Sequence, residues 1–330
     1  MTREVKVGII GSGAMAAAHV IRLQKTEGCK IVACVDIDPE RATKLASGLG
    51  AAVYKTVEDM LTASEVDAIF VCTPPFARGL EIPAIEKGIP VFFEKPVALT
   101  ANRAKEIERR VRKSGIIESV GYMWRYLDVT DQAIRQIQES GPVSMVVGQY
   151  VDAFWWPKGH WWLYKEKGGG QVVESSTHVF DLIRFLVGDV ARVYAEIDNL
   201  LMKQINPDMT SEDSSIVLLR FNSGAMGVVF SSCASRNTFT GGSVKLIAKD
   251  VVLEHGGHSK VLRIYKTNVI EEHRSQFDFY LEEEKVFIDA VRSGDTSKIR
   301  SRFPDAVKTL ELTLAANESA SQKKAVNISR

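Results

Sequence analysis

Cysteine is scarce in this chain, with four in 330 residues, at positions 29, 34, 72 and 233. They form no Cys-x-x-Cys pair and have no matching histidine spacing, which argues against structural zinc and against a disulfide framework. Cys34 and Cys72 lie inside apolar runs, where a cysteine usually acts as a small buried hydrophobe. The sequence therefore predicts neither disulfides nor a metal site.

Long apolar runs and an excess of charge of one sign are missing as well. The longest apolar stretches fall well short of the roughly 20 residues that span a bilayer, and no signal-peptide core follows Met1. The 42 basic and 41 acidic residues give a net charge of +1, which leaves no basic excess for a nucleic-acid backbone or an anionic membrane. We therefore expect a cytoplasmic protein whose partner is a small molecule or another protein, and neither nucleic acid nor membrane.

The chain is long enough for two domains, each with its own core. In residues 1–122, short apolar strands alternate with helices of about 10 residues, which predicts a doubly wound parallel sheet, a Rossmann domain, with right-handed crossovers. The predicted strands are Val5–Ile10, Ile31–Val35, Ala68–Cys72, Val91–Phe93 and Ile117–Gly121. The predicted helices are Ala14–Lys25, Pro39–Leu49, Leu80–Lys87 and Ala101–Lys113.

In residues 123–330 the pattern changes to longer alternating segments, which predict a C-terminal α/β domain with a large, mostly antiparallel sheet open on one face. The predicted strands are Ser144–Val151, Val190–Asn199, Ser214–Phe221, Met226–Ser232 and Ser243–Ala248. The predicted helices are Thr130–Glu139, Ser175–Val187, Phe277–Ser293 and Arg302–Ala320. Because an uncovered apolar face favours self-association, we expect a homodimer or homotetramer.

A glycine-rich turn at residues 11–16 lies where the first predicted strand meets the first predicted helix. It matches G-x-G-x-x-(G/A), in which the glycines allow a tight turn and a close approach of backbone to a pyrophosphate at the helix N-terminus. A glycine-rich turn alone is weak evidence for a dinucleotide site, but this turn follows a predicted strand and begins a predicted helix. The predicted dinucleotide contacts are Gly11, Ser12, Gly13, Ala14 and Met15.

An acidic residue, Asp36, ends the second predicted strand about 20 residues further on, where a carboxylate accepts hydrogen bonds from the ribose hydroxyls of a dinucleotide. That carboxylate would repel a 2′-phosphate, which favours NAD. The nearby Arg41 works against this preference, so NADP stays an alternative. With Ile37 and Arg41, Asp36 completes this part of the predicted cofactor site.

Two further loops, Thr73-Pro74 and Glu94-Lys95-Pro96, follow predicted strands. Open α/β sheets bind ligands at the carboxyl ends of their strands, so we expect Thr73, Pro74, Glu94 and Lys95 to contact the cofactor. A lysine there is suited to stabilising negative charge on a reacting oxygen. Taken alone, a lysine after a strand is more often a solvated surface charge.

These motifs, with Gly168-Gly169-Gly170 leading to Glu174, His178 and Asp181, resemble the glucose–fructose oxidoreductase/inositol dehydrogenase/MocA family. The resemblance runs essentially from end to end and is strongest over residues 5–125 and 168–190. It implies a Rossmann domain and an α/β domain whose open sheet commonly forms oligomer contacts. It also implies that Lys95 is the catalytic lysine and His178 the proton-transfer residue, with the carboxylate of Glu174 beside it.

Helical geometry places the same ionisable residues on one stripe. At about 100° per residue, Glu174, His178 and Asp181 share a face opposite an apolar packing face. A histidine flanked by carboxylates is well placed to have its tautomer and charge held, although Asp181 is equally suited to anchoring the helix. The sequence departs from the family pattern at Glu174, commonly aspartate, and at Pro75 and Arg78, where the family usually has asparagine and histidine.

Aromatic residues crowd the segment before the triple glycine. They are Phe154, Trp155, Trp156, Trp161, Trp162 and Tyr164, with His160 among them. The cluster is either a hydrophobic lid over the second domain's sheet or an aromatic wall for the C–H face of a sugar. The predicted substrate contacts are Trp161, Trp162, Tyr122, Arg125, Glu174 and His178. Arg125 is equally suited to an ion pair at the domain interface.

These residues predict an NAD(P)-dependent dehydrogenase that moves a hydride between nicotinamide and a secondary alcohol or ketone of a sugar, cyclitol or related polyol. In this hypothesis His178 accepts the hydroxyl proton and Lys95 stabilises the alkoxide. Two alternatives stay open. One is a redox-neutral, glycoside-processing enzyme that uses tightly held NAD, and the other is a catalytically silent NAD-sensing regulatory protein.

Overall fold

The computed structural model describes residues 3–153, 156–235 and 241–328, and the chain divides into two compact units. The first unit contains the described residues up to Met123 together with Asp278–Val307, and the second contains Trp124–Phe277 and the described residues from Lys308 onward. The sequence-based division placed everything after residue 122 in the second domain. The difference arises because a helix at Phe279–Ser293 packs against the helix Ala14–Leu23 of the first unit.

Strands and helices alternate through residues 3–123. The strands are β1 (Val5–Ile10), β2 (Cys29–Val35), β3 (Ala52–Tyr54), β4 (Ala68–Val71), β5 (Val91–Phe93) and β6 (Glu118–Val120). The helices are α1 (Ala14–Leu23), α2 (Pro39–Ala46), α3 (Val57–Ala63), α4 (Ile82–Glu86) and α5 (Ala101–Ser114). The sequence pattern missed β3 and α3, because β3 has only three residues, two of them exposed, and shows no apolar run.

The predicted parallel, doubly wound sheet is confirmed. Its strand order is β3-β2-β1-β4-β5-β6, with every pairing parallel, as in dinucleotide-binding sheets. The central strands β4 and β5 are buried along their whole length, which explains their uninterrupted apolar sequences. The strand order reverses between β1 and β4, so the carboxyl ends of these two strands flank the place where such sheets bind ligands.

The rest of the chain supplies the second sheet and its helices. The strands are β7 (Val143–Val151), β8 (Val190–Asp198), β9 (Ser214–Phe221), β10 (Met226–Ser232), β11 (Gly241–Ala248), β12 (Val251–His255), β13 (Val261–Lys266), β14 (Val269–Arg274) and β15 (Val326–Asn327). The helices are α6 (Asp128–Ser140), α7 (Lys165–Gly168), α8 (Gln171–Glu174), α9 (Thr177–Val187) and α10 (Met202–Ile205). Helix α11 (Phe279–Ser293) belongs to the first unit, and α12 (Phe303–Gln322) begins in the first unit and continues in the second.

The predicted large, mostly antiparallel sheet is also confirmed. Its nine strands follow the order β14-β13-β12-β11-β7-β10-β9-β8-β15, and only the β7–β10 pairing is parallel among the described strands. Helix α9 packs on one face so closely that a Cβ added to Gly148 would lie 2.6 Å from Cγ1 of Val179. The strands β12, β13, β14 and β15 were not predicted. Exposure accounts for β14, an edge strand whose residues are largely exposed.

The opposite face of this sheet is apolar and exposed. Burial alternates along β9 and β10, and the register pairs Phe230 with Ile216 and Met226 with Met145 on the exposed side. Ile216 is 54% exposed and Leu218 51% exposed. The sheet is therefore open on one side, as predicted. The apolar patch on this side consists of Met145, Ile216, Leu218, Met226 and Phe230, and we call it the open face.

The four cysteines are all free thiols. Burial raises the pKa of Cys34 to about 11, so this thiol is neutral near pH 7 and packs as an apolar side chain. In the part of the chain that the structure describes, no helix combines the length and the apolar character needed to cross a membrane. Within the same residues, no group of three His, Cys, Asp or Glu side chains is placed to hold a metal ion.

Candidate active site

Three of the predicted motifs meet at one edge of the first sheet. The glycine turn follows β1, the Thr73-Pro74 loop follows β4, and the Glu94-Lys95 loop follows β5. Because β1, β4 and β5 are neighbours and parallel, these loops lie side by side at the carboxyl ends of the strands. The local sequence signals therefore converge on the edge where a dinucleotide binds in this fold.

The glycine turn has the geometry of a phosphate cradle. Gly11 has a positive φ of 90°, and an added Cβ would lie 3.0 Å from the backbone of Cys72 and Thr73, so only glycine fits there. A Cβ on Gly13 would meet nothing within 4 Å, which leaves open space beside the first turn of α1. The N-terminus of α1 has no side-chain cap and no acidic residue in its first turn.

A polar atom in the same turn has no partner. The Oγ of Ser12 is buried and makes no hydrogen bond with any described residue. Free N–H groups and the partial positive charge of a helix N-terminus favour an anion, and a buried hydroxyl supplies a further donor. The residues of this turn therefore fit the pyrophosphate of a dinucleotide.

Asp36 lies beside the same turn, at the end of β2. Its carboxylate accepts hydrogen bonds from the backbone N–H of Ser12 at 2.7 Å and of Asp38 at 2.9 Å. Arg41 lies 3.7 Å away and is 55% exposed, while Ile37 is 86% exposed. The carboxylate both braces the glycine turn and carries the negative charge that disfavours a 2′-phosphate.

Arg78 braces the two strand-end loops against each other. It is 3% exposed and donates to the backbone carbonyls of Val71 at 3.0 Å, of Pro96 at 3.2 Å, and of Glu94. It also donates to Oγ1 of Thr73 at 3.3 Å. Arg78, at the position where the family usually has histidine, is therefore a buried residue that links the two loops. Its hydrogen bonds to Glu94 and Pro96 hold the loop that carries Lys95.

Glu94 differs from the other predicted cofactor contacts because its side chain points into the protein. It is 4% exposed, and its carboxylate lies 2.8 Å from Nε2 of His19. Burial alone would raise the pKa of Glu94, but the hydrogen bond and the charge of His19 lower it below its ordinary value. The other carboxylate oxygen accepts the backbone N–H of Lys95 at 3.0 Å.

In the second unit, Glu174 and His178 are buried close together in sequence but on separate helices. Glu174 ends α8 and His178 lies in the first turn of α9, so the continuous helical stripe predicted for Glu174, His178 and Asp181 is wrong. The helices are separated at Ser175 and Ser176, where the backbone N–H and the hydroxyl of Ser176 both donate to the carbonyl of Gln171, at 3.1 and 3.3 Å. The Oγ of Ser175 donates to Glu174 at 3.1 Å.

Asp181 and Arg125 form a buried ion pair. Nε and Nη2 of Arg125 lie 2.7 and 2.6 Å from the two carboxylate oxygens of Asp181, and each side chain is 2% exposed. Oγ1 of Thr309 donates to the same carboxylate at 3.0 Å, and the guanidinium stacks 4.6 Å from the ring centroid of Phe185. This arrangement favours anchoring for both residues, and Arg125 pairs within the second unit.

His178 belongs to an aromatic cluster that the sequence analysis did not identify. Its ring centroid lies 5.4 Å from that of Trp124 and 6.5 Å from that of His258. Gly242 and Gly257 allow this packing, since an added Cβ would come within 2.6 and 2.8 Å of the Trp124 ring. His258 is half-buried, and the only local signal for it is the glycine pair that precedes it.

The aromatic segment before the triple glycine packs largely on itself. Trp156 stacks on His160 at 4.3 Å and meets Trp162 edge-on at 4.7 Å, and Trp161 meets Trp162 edge-on at 5.7 Å. Partly buried members of this group pack on a small core formed by Leu163, Met202, Met209 and Cys233. Phe154 and Trp155 lie outside the described residues. Tyr122 is 2% exposed in the first unit.

Comparison with known proteins identifies the family to which this fold belongs. The model of an oxidoreductase family with an NAD-binding Rossmann fold, Gfo/Idh/MocA, matches residues 5–122, and the model of the family's C-terminal domain matches residues 132–247. A myo-inositol 2-dehydrogenase of Thermotoga maritima is 26% identical over 98% of each chain. An NAD(+)-dependent scyllo-inositol 2-dehydrogenase of Bacillus subtilis is 26% identical over 97% of this chain and 95% of its own.

Solved structures share the whole fold. A levoglucosan dehydrogenase in complex with NADH and levoglucosan superposes with a TM-score of 0.89 at 19% identity, over 99% of this chain and 100% of the other. The two family models together cover well over half of the chain, and its relatives match along nearly its full length. The chain therefore belongs to the glucose–fructose oxidoreductase/inositol dehydrogenase/MocA family and is an oxidoreductase with an NAD-binding Rossmann domain.

Proposed function

We propose that this oxidoreductase oxidises a secondary hydroxyl of a cyclitol or sugar and reduces the corresponding ketone in reverse. The observation that carries the proposal is the convergence of the glycine turn, Thr73-Pro74 and Lys95 at the carboxyl ends of β1, β4 and β5. This convergence supports a cation beside a dinucleotide cradle. The inositol dehydrogenases that match along nearly the whole chain support the substrate class.

Each residue has a role that follows from its chemistry. The glycine turn and the N-terminus of α1 hold the pyrophosphate, and the charge of Asp36 favours NAD over NADP. NAD, when bound, exchanges a hydride with the substrate carbon at its nicotinamide ring. Lys95 stabilises the negative charge that develops on the substrate oxygen.

His178 is assigned to the proton. A neutral imidazole accepts the hydroxyl proton as the carbon is oxidised and returns it in the reverse reaction. The Oγ of Ser175 donates a hydrogen bond to the carboxylate of Glu174. We assign that carboxylate to the orientation of a substrate hydroxyl. Trp161 and Trp162 remain predicted substrate contacts.

A substrate screen tests the proposal. Purified protein is incubated with NAD or NADP and with cyclitols, sugars, sugar acids or nucleotide sugars, and cofactor reduction is followed by absorbance. We expect NADH formation with at least one cyclitol or sugar, and its loss in Lys95→Met. NAD that survives purification with no net NADH would instead favour the redox-neutral hypothesis, and NAD binding without any turnover would favour a regulatory protein.

Self-association is the second part of the proposal. The open face exposes five large apolar side chains on neighbouring strands, and a patch of this kind on a monomer is usually an interaction site. A homodimer or homotetramer formed through this face would bury it. The cytoplasmic location stays a prediction from the sequence.

A further inference from the structure

A histidine is buried in the first unit with carboxylates on both sides of its ring. His19 lies on α1 and is 1% exposed. Its Nε2 lies 2.8 Å from Oε1 of Glu94, and its Nδ1 lies 2.7 Å from Oε1 of Glu284 on α11. A neutral imidazole has only one N–H to donate, so the ring can donate to both carboxylates only when it is doubly protonated. Burial raises the pKa of Glu284 above its ordinary value, against the hydrogen bond and the charge of His19, which lower it.

The surroundings of His19 are otherwise apolar. Its ring packs 5.5 Å from Phe70 and 5.4 Å from Phe92, measured between centroids. Burial alone would lower the pKa of His19, but the hydrogen bonds to Glu284 and Glu94 raise it to about 9. The low dielectric of this core strengthens these hydrogen bonds and makes any unpaired charge costly.

The other ionisable groups near His19 and Glu94 differ in charge, and the cations of Lys95 and Arg78 also lower the pKa of Glu94. Glu283 is fully buried and its carboxyl has no hydrogen-bond partner among the described residues. Burial, with the charges of Glu94 and Glu284, raises its pKa well above the ordinary value. Burial likewise raises the pKa of the Cys72 thiol and of the Tyr280 phenol. Arg22 is paired with Asp278 at 3.0 Å.

The contacts of His19 continue to the lysine loop. One oxygen of Glu94 faces His19, and the other accepts the backbone N–H of Lys95 at 3.0 Å. The same helix α1 begins at the phosphate cradle. A chain of hydrogen bonds therefore joins the helix that begins at the cofactor turn to the backbone of Lys95.

We propose that His19 and Glu94 are positioning residues for Lys95. The imidazolium holds one oxygen of Glu94, so that the other oxygen fixes the backbone from which the lysine side chain extends. Glu284 holds the far side of the ring. The expected effect of His19 and Glu94 on kcat rests on the role of Lys95 in the proposed function. The hydrogen bonds that join His19, Glu94 and the Lys95 backbone do not depend on that role.

Glutamine variants test the link. His19→Gln leaves one carboxylate facing an amide oxygen, and Glu94→Gln places an amide N–H₂ against one of its two donors. Since a displacement of about 1 Å at a reacting group costs about 100-fold in rate, we expect kcat with myo-inositol to fall by about 10- to 100-fold in each variant. The NAD dissociation constant should hardly change, because Gly11, Gly13 and Asp36 are untouched. The double variant should be little slower than either single one.

Glu118→Gln is the matched control. Glu118 is 2% exposed, lies in the same sheet opposite Val91 at the far end of β5, and pairs with Arg302 at 2.7 Å. It should lose stability without a change in kcat. If His19→Gln and Glu118→Gln alter stability and kcat in the same proportion, His19 is only a structural residue and the proposal is overturned.

Two measurements do not depend on the substrate and separate this proposal from the proposed function. Imidazole ¹⁵N resonances of the wild-type protein at pH 7 should show two protonated ring nitrogens for His19. Hydrogen exchange should show a protected Lys95 amide in the wild type and in Glu118→Gln, and faster exchange in His19→Gln. A protein that oxidises no polyol would refute the proposed function. The His19 resonances and the Lys95 amide exchange would still show whether His19 and Glu94 hold the Lys95 backbone.

The wild type also provides a test if His19→Gln does not fold. Because the folded pKa of His19 is raised, the charged contact is present at lower pH and is lost as pH rises through about 9. The Lys95 amide resonance should then shift with the same midpoint as the His19 ring. A single ring N–H on His19 at pH 7 would overturn the link. A Lys95 amide resonance that does not shift as His19 titrates would also overturn it.

Discussion

Replacing Lys95 by methionine removes a positive charge and three N–H donors while keeping most of the side-chain volume. The loop itself should survive, because it is held through backbone atoms: Arg78 binds the carbonyls of Glu94 and Pro96, and the Glu94 carboxylate binds the Lys95 N–H. The perturbation is thus confined to the cation. Loss of one preorganised electrostatic donor costs about 10²–10³ in kcat, or about 3–4 kcal/mol of transition-state stabilisation.

The assay measures kcat and the NAD dissociation constant side by side. We expect kcat to fall by the full factor and NAD affinity to change little, since the phosphate cradle of Gly11 and Gly13 is untouched. Lys113→Met, on the exposed surface of α5, is the control and should behave as wild type. A Lys95→Met enzyme that turns over normally would refute the catalytic assignment. One that no longer binds NAD would make Lys95 a cofactor anchor instead.

Three further predictions concern the cofactor, stability and assembly. Asp36→Ala should weaken NAD binding and shift the NAD/NADP ratio of kcat/KM toward NADP, and an unchanged ratio would place Asp36 away from the ribose. Asp181→Asn leaves the buried charge of Arg125 uncompensated and should lower the free energy of unfolding by about 3–5 kcal/mol in denaturant titrations; Glu272→Gln, in an exposed pair, should cost less than about 1 kcal/mol. Ile216→Glu should dissociate the oligomer, whereas a wild-type mass near 36.5 kDa by light scattering would contradict assembly.

Much of the first unit was predictable because its signals are local. A glycine turn, the strand before it and the helix after it are consecutive in sequence, and the buried parallel strands appear as short apolar runs. The parallel topology then brings Gly11, Thr73 and Lys95 to one edge, because parallel strands all end at the same edge of the sheet.

In the second unit the pattern was less informative. Glu174 and His178 have the spacing of one helical face, but α8 ends at Glu174 and α9 begins at Thr177. Between them, the hydroxyl of Ser176 donates to the backbone carbonyl of Gln171. The periodicity of apolar residues does not show whether a backbone carbonyl accepts a helical N–H or a neighbouring side-chain hydroxyl. The missed edge strand β14 shows the same limit, since an exposed strand has no apolar alternation to detect.

The sequence by itself determined the fold class and the cofactor turn, because each depends on residues that are neighbours in the chain. The candidate lysine and histidine were identified through the family resemblance of the motifs around them. Only the tertiary structure decided what holds them. Glu284 lies 265 positions from His19, and Arg78 became a buried brace rather than a surface charge only once three strand-end carbonyls surrounded it. The partner of a buried polar group is set by distant segments that fold against it, since burying a polar group without a partner costs free energy.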